Sequence, residues 1–171
     1  MFLRAGDGTQ LYVRHVRPDD KELLRKAWLQ LSQESQQRRF LAPKPRLTAG
    51  DLRYLTEIDG HNHVALVAVR LNEPNRLVAA ARYVRSVVDP AAAEVAVTVA
   101  DDMQGKGIGG MLGVLLADEA RGRGVRRFSA SIAADNRAAL RLMAKMGERL
   151  DSHTAGGVSD LVTDIETDLA A

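Results

Sequence analysis

The chain contains no cysteine among its 171 residues. That excludes thiolate nucleophiles, cysteine-ligated zinc, iron–sulfur clusters and disulfides, and it fits a reducing, cytoplasmic setting. Long hydrophobic runs are also missing. The longest, Val64–Val69, falls far short of the roughly twenty apolar residues that span a bilayer, so no membrane partner is expected. The opening residues Met1-Phe2-Leu3-Arg4-Ala5-Gly6 lack the apolar core of a signal peptide. Charge of one sign is scarce too. A net charge of +2 is too small to point to nucleic acid. Histidines number four: His61 and His63 stand two apart, while His15 and His153 are distant in sequence. A zinc site needs three or four ligands at one point, so no metal is expected.

What is present fits an ordinary globular chain, with 46% hydrophobic and 27% charged residues. The length suits one domain over residues 1–171 with a sizeable core. Charge is unevenly placed. Residues 1–46 carry ten Lys/Arg against five Asp/Glu, whereas beyond Arg149 only the acidic Asp151, Asp160, Asp164, Glu166 and Asp168 follow. Solvated surface explains this most simply; a polar acceptor groove with an acidic side is the functional counterpart.

Hydrophobic periodicity orders the elements. Leu11–Val16 alternates as a strand. Pro18 and Asp19-Asp20 open a helix whose Leu23, Leu24, Ala27, Trp28 and Leu31 share a face. Thr48 and Asp51 form a capping-box pattern for a second helix running to Ile58. Three strands are expected at His63–Arg70, Leu77–Arg85 and Ala93–Ala100, with a hairpin turn at Asn72-Glu73-Pro74-Asn75. From Ile108 the spacing of Met111, Leu112, Leu115 and Leu116 is helical, stopped by Gly122 and Gly124. Arg127–Ala133 reads as a strand. Asp135 or Asn136 caps a helix striped by Ala139, Leu142, Met143 and Met146 and ended by Gly147. Arg149–His153 and Val158–Ile165 close the chain, joined by Gly156-Gly157. The fold class is mixed α/β: a mostly antiparallel sheet of about seven strands flanked by about four helices, with one βαβ-like crossover.

The most informative segment is Gln104-Gly105-Lys106-Gly107-Ile108-Gly109, a glycine-rich turn between a strand and a helix. Such a turn lets backbone N–H groups approach phosphate oxygens closely. A nucleoside-triphosphatase loop is excluded, because Lys106 is followed by Gly107 and no glycine lies five residues before Gly105. A dinucleotide fingerprint is formally present at Gly105, Gly107 and Gly110, with Asp135 ending the next strand. But Asp101–Gln104 separate strand from loop, and only 36 residues follow Asp135, too few for the remaining parallel strands.

The third pattern is Gln-x-x-Gly-x-Gly at Gln104, Gly107 and Gly109, with Asn136 after the next strand, Ala139 three residues on and two helices before the antiparallel strands. Here nearly the whole chain resembles the GCN5-related N-acetyltransferase (GNAT) superfamily. The resemblance implies that Gln104, Gly105, Lys106, Gly107, Ile108 and Gly109 cradle the pyrophosphate of acetyl-CoA. It also implies that the backbone around Val97, Thr98 and Val99 serves the oxyanion and pantetheine, and that Asn136 touches the pantetheine arm while capping its helix. A narrower likeness joins Leu31-Ser32-Gln33-Glu34-Ser35, Arg39-Phe40 and Leu55-Thr56-Glu57-Ile58-Asp59 with His63. These look like the catalytic domain of bacterial Pat-type protein lysine acetyltransferases. In that light the acceptor is an amine, a protein lysine or a small molecule, and a homodimer is compatible.

Acetyl transfer to an amine needs a base, because an ammonium with a pKa of about 10.4 has no free lone pair. Glu94, at the start of Glu94–Ala100, is the candidate general base, as in lysine-type relatives. A carboxylate set among apolar neighbours suits such a role near neutrality. The alternative is an outward glutamate on an alternating strand. Many relatives carry a tyrosine acid seven residues after the asparagine; here that position is Met143, which fits the helix stripe as core. Either no side-chain acid is used, or another group such as Tyr83 or a water serves the leaving thiolate, and no residue is assigned that role. A non-catalytic acetyl-CoA-binding module is the competing function.

Overall fold

The apolar run Val64–Val69 lies in a strand, β3 (His63–Arg70), buried on both faces. A strand covered on both sides needs no alternation, which is why this segment reads as continuously hydrophobic. The computed structural model describes residues 1–166; Asp168 of the acidic tail lies outside the described residues. Before β3 come β1 (Phe2–Arg4), β2 (Gln10–His15) and the helices α1 (Lys21–Leu29), α2 (Gln33–Phe40) and α3 (Ala49–Thr56). After it come β4 (Glu73–Arg85), β5 (Ala92–Val99), α4 (Ile108–Gly122), β6 (Arg127–Ala133), α5 (Arg137–Met146), β7 (Arg149–Ala155) and β8 (Val158–Asp164). One sheet carries the strands in the order β1-β2-β3-β4-β5-β6-β8-β7.

The sheet is antiparallel except where β5 meets β6. On one face α1 and α3 bury Leu24, Trp28, Leu52 and Leu55 against Ala65, Val67 and Leu77. On the other, α4 and α5 bury Ile108, Leu112, Leu116, Met143 and Met146 against Leu66, Ala81, Tyr83, Val95 and Phe128. A Cβ on Gly113 would meet Met146 Sδ at 2.9 Å, so a larger residue there would push the Met146 side chain aside where α4 and α5 pack.

Two elements exceed the expected count of strands and helices. β1 has three residues, too few to show periodicity. α2 is polar almost all round, so it carries no apolar stripe to read. Hydrogen bonds hold it instead. Ser32 caps it by accepting from Ser35 N, and buried Gln36 donates to Trp28 O at 2.9 Å. Phe40 packs edge-on against Trp28 with ring centroids 5.3 Å apart.

The expected turn at residues 72–75 is tighter than predicted. β4 already begins at Glu73, and the register slips so that Arg70 faces Glu73 while Val69 faces Leu77. Pro74, which has no N–H to give, falls in that bulged stretch. At the far end β8 inserts between β6 and β7. β8 alternates buried and exposed residues, whereas β7 is exposed at nearly every position and takes the edge. Among the described residues no helix is long and apolar enough to cross a membrane.

Candidate active site

The sheet opens at one place. β5 and β6 are paired in parallel only over Ala92–Glu94 with Arg127–Ser129. Beyond Glu94 the two strands diverge, although β5 stays paired with β4 as far as Val99. The backbone groups of Val95–Val99 that face β6 therefore have no strand partner, and peptide groups left this way must be satisfied by a ligand or water. A cleft of about 300 Å³ fills the gap. It is walled by β5 residues Val95–Val99, by Ala130–Ile132 of β6, by α5 from Asn136 to Met146, and by Ser35, Arg38 and Arg39 of α2.

The glycine turn closes the cleft. Gly105 and Gly107 have φ of +74° and +80°, a left-handed backbone that a side chain resists. Gly107 is also the N-cap of α4, and no side chain caps that helix. The first turn carries no acidic residue, and Met111 is the first residue to donate back, to Gly107 O at 3.0 Å. Free N–H groups at the positive end of a fifteen-residue helix suit a phosphate. A pyrophosphate at the helix end with an extended arm along the open edge of β5 fits this cradle.

Of the residues expected to hold acetyl-CoA, the structure brings Val97, Thr98, Val99, Gln104, Gly105, Gly107, Ile108, Gly109 and Asn136 to the cleft wall. Lys106 departs from this group. Its ammonium pairs with Asp7 Oδ2 at 2.8 Å, and its carbonyl accepts from Gly6 N at 2.8 Å. The Lys106 side chain thus pins the β1–β2 turn and holds the Asp7 carboxyl well below the usual carboxylate range. Gln104 does more than line the cleft: its Nε2 donates to Val99 O at 3.1 Å and Ser35 Oγ at 3.2 Å. Asn136 Oδ1 accepts from Ala139 N at 3.1 Å, the expected cap.

Glu94 stands at the last paired residue before the opening, and its side chain is exposed. The half-apolar setting expected from its neighbours does not enclose it, because alternation turns Ala93 and Val95 into the core and Glu94 away from it. Strand register places it on the α1–α3 face of the sheet. His63, Val84 and Glu94 form one cross-strand row, and Ala65, Arg82 and Ala96 form the next.

Met143 is 2% exposed and belongs to the core, as the helix stripe indicated. Tyr83 does not reach the cleft as an acid. It is fully buried against Phe128, and its hydroxyl donates to His61 O at 3.3 Å. Burial holds its phenol above the usual range. Among the described residues no three His, Asp or Glu side chains converge as a metal site.

Sequence reasoning missed two parts of the site. Asp101 accepts from Ser32 N at 2.7 Å, Ser32 Oγ at 3.0 Å and Ser35 Oγ at 2.6 Å, tying α2 to the strand–loop junction. Arg82, only 6% exposed, donates from one terminal nitrogen to Leu55 O at 3.3 Å and shares a contact with His63 Nε2 at 3.0 Å. An arginine inside an otherwise apolar strand, Leu77–Val84, was the signal available for it. Burial, with the Arg82 charge beside it, pushes His63 down to about 4, so the ring is neutral near neutral pH.

This geometry has counterparts among known proteins. The model of the acetyltransferase (GNAT) family matches residues 22–147. The chain belongs to the GNAT acetyltransferase family. Acetyltransferase Pat of Mycolicibacterium smegmatis is 36% identical over 140 residues, covering 82% of this chain. The chain spans 41% of that relative's length. A Pseudomonas aeruginosa acetyltransferase is 33% identical over 143 residues, 82% of this chain and 76% of its own. In structure, the GNAT domain of S. lividans PAT superposes with a TM-score of 0.87 at 32% identity, over 96% of each chain. The mixed, mostly antiparallel sheet expected from the sequence is this family's fold.

Proposed function

We propose that residues 1–171 act as one domain that moves the acetyl group of acetyl-CoA to a primary amine, with Glu94 as general base. The observation that carries this is the opening of the sheet immediately after Glu94, beside an unpaired strand edge that leads into an uncapped helix. Free N–H groups of Ile108–Gly110 receive the pyrophosphate. The open edge at Val97–Val99 receives the pantetheine and supplies an N–H for the oxyanion. Glu94, directly or through a water, takes the proton from the acceptor ammonium. The amine nitrogen then forms the amide bond and gives its second proton to water as the carbon–sulfur bond breaks. The thiolate, whose conjugate acid has a pKa of about 8.5, leaves without a side-chain acid and takes its proton from water. Met143 and Tyr83 have no part in that step.

A protein lysine is the first candidate acceptor, supported by the likeness to Pat acetyltransferases and by the Ser32–Ser35 and Arg39-Phe40 segments beside the cleft. Release of CoA thiol from acetyl-CoA, measured with lysine peptides and small amines, tests the reading. Turnover with at least one amine supports it. No release with any acceptor, despite tight acetyl-CoA binding, overturns it in favour of a binding module.

A further inference from the structure

A small apolar cavity of about 60 Å³ lies on the α1–α3 face of the sheet, next to the main cleft and sharing Arg39, Ala96 and Thr98 with it. Trp28, Leu31, Phe40 and Leu55 line it, together with two guanidinium groups, Arg39 and Arg82. Buried cations are normally paired with carboxylates, because an uncompensated charge in an apolar setting is costly. Arg82 is buried and Arg39 half-buried; among the described residues no carboxylate lies within 4.0 Å of either, and Glu94 acts on Arg39 only from farther away.

The protein satisfies these groups only in part. Arg82 uses one terminal nitrogen, on Leu55 O and His63 Nε2. Its Nε and Nη2 have no protein partner within the described residues, and neither is a fully buried unsatisfied atom, so solvent reaches them. Arg39 lies over the Phe40 ring, 4.6 Å from the centroid, a cation–π contact that leaves its N–H donors unused. Both arginines are pushed below the ordinary arginine range, chiefly by burial. Two like charges around one cavity repel each other, and an anion entering between them removes that repulsion.

We propose that the acceptor amine carries a carboxylate, gripped by Arg39 and Arg82 while the amine lies at Glu94. The proposal rests on the amine-transfer reading above and narrows it. Register supports the spacing. Arg82 faces Ala96 across β4 and β5, and Glu94 is two residues along on the same face. Such diagonal neighbours lie roughly 7–8 Å apart at the backbone, more than twice the amine-to-carboxylate span of an α-amino group and close to the reach of an extended lysine from its side-chain amine to its carboxylate. The planar fork of arginine matches a carboxylate in two parallel hydrogen bonds. The apolar wall of Trp28, Leu31 and Phe40 takes the carbon skeleton.

The test measures CoA release by the full chain with acceptors in matched pairs. One pair sets free lysine against its amide. The other sets a lysine peptide with a flanking glutamate against the same peptide with glutamine. The expected result is a kcat/KM at least about tenfold higher for the carboxylate member of one pair, the scale of a charged hydrogen bond. The pair that shows the preference tells whether the carboxylate belongs to a free amino acid or to a peptide. Arg39→Gln, at a side chain that makes no hydrogen bond, brings the ratio close to one, and Arg39→Lys restores part of it. Equal values in both pairs, or a ratio that survives Arg39→Gln, overturns the proposal. So does an Arg39-dependent preference for a succinyl over an acetyl donor, which puts the carboxylate on the acyl group. If no acceptor releases CoA, the transfer reading fails by itself and binding decides the anion site. Millimolar butyrate then raises the Tm of the native chain and not that of Arg39→Gln; no shift, or the same shift in both, overturns it.

Discussion

The Asp101 carboxylate accepts a hydrogen bond from Ser35 Oγ at 2.6 Å, across 66 residues of chain. Asp101 follows the end of β5, and Ser35 sits in the first turn of α2, so this contact fastens that helix to the start of the glycine turn. Burial works against the Asp101 charge, but the hydrogen bonds from Ser35 and Ser32 outweigh it and hold the carboxyl below the usual range. Replacing Asp101 by alanine should loosen α2 and the loop together. The expected outcome is a loss of about 1 kcal/mol in stability for these partly exposed bonds, with a raised KM for acetyl-CoA. Chemical denaturation and steady-state kinetics on the same variant check both.

Glu94→Gln removes the proposed base and keeps the shape. Since Glu94 is exposed and outside the cleft wall, acetyl-CoA affinity should hold while kcat falls by about a hundredfold or more, the usual scale for a lost general base. Calorimetry with acetyl-CoA and a CoA-release assay separate the two. A fully active variant would remove Glu94 from the mechanism.

Gly107→Val should abolish acetyl-CoA binding without emptying the core. No atom lies within 4 Å of a Cβ placed there, so the fault is not a clash. The φ of +80° is strained for a β-branched residue. Relieving that strain would turn the first N–H groups of α4 away from the ligand. Unchanged binding by calorimetry refutes the loop assignment.

His63 predicts a pH dependence of stability. Its folded-state value of about 4 lies below the ordinary histidine value of 6.5. The folded state therefore disfavours the imidazolium. The contribution is fully present above about 6.5 and is lost as pH falls from there towards 4. His63→Gln should flatten the stability profile across that window, measured by denaturant midpoints at each pH. Asp59, lowered to about 2 chiefly by the N–H groups of His63 and His61, adds a separate loss only below about 4.

Local chemistry makes several elements legible in the amino-acid sequence. Arg127–Ala133 and Arg137–Met146 match the expected segments, because alternation and a helical stripe bounded by Asn136 and Gly147 are properties of neighbouring residues. The glycine turn is legible for the same reason: left-handed backbone and free N–H groups follow from Gly105 and Gly107 alone. α2 is not, since its stability comes from Asp101, Trp28 and Gln36, partners that local periodicity does not record.

The sequence by itself determined the local elements of the cleft: a strand, a glycine turn, an uncapped helix and an asparagine cap, each set by residues within a few positions of one another. Only the tertiary structure decided where the longer side chains went. Lys106 turned from phosphate to Asp7, Tyr83 sank into the core, and Arg39 from a polar helix met Arg82 from a central strand at one cavity. Those pairings depend on which strand edges meet and which sheet face each helix covers. Long-range burial sets both, and no short stretch of chain encodes either.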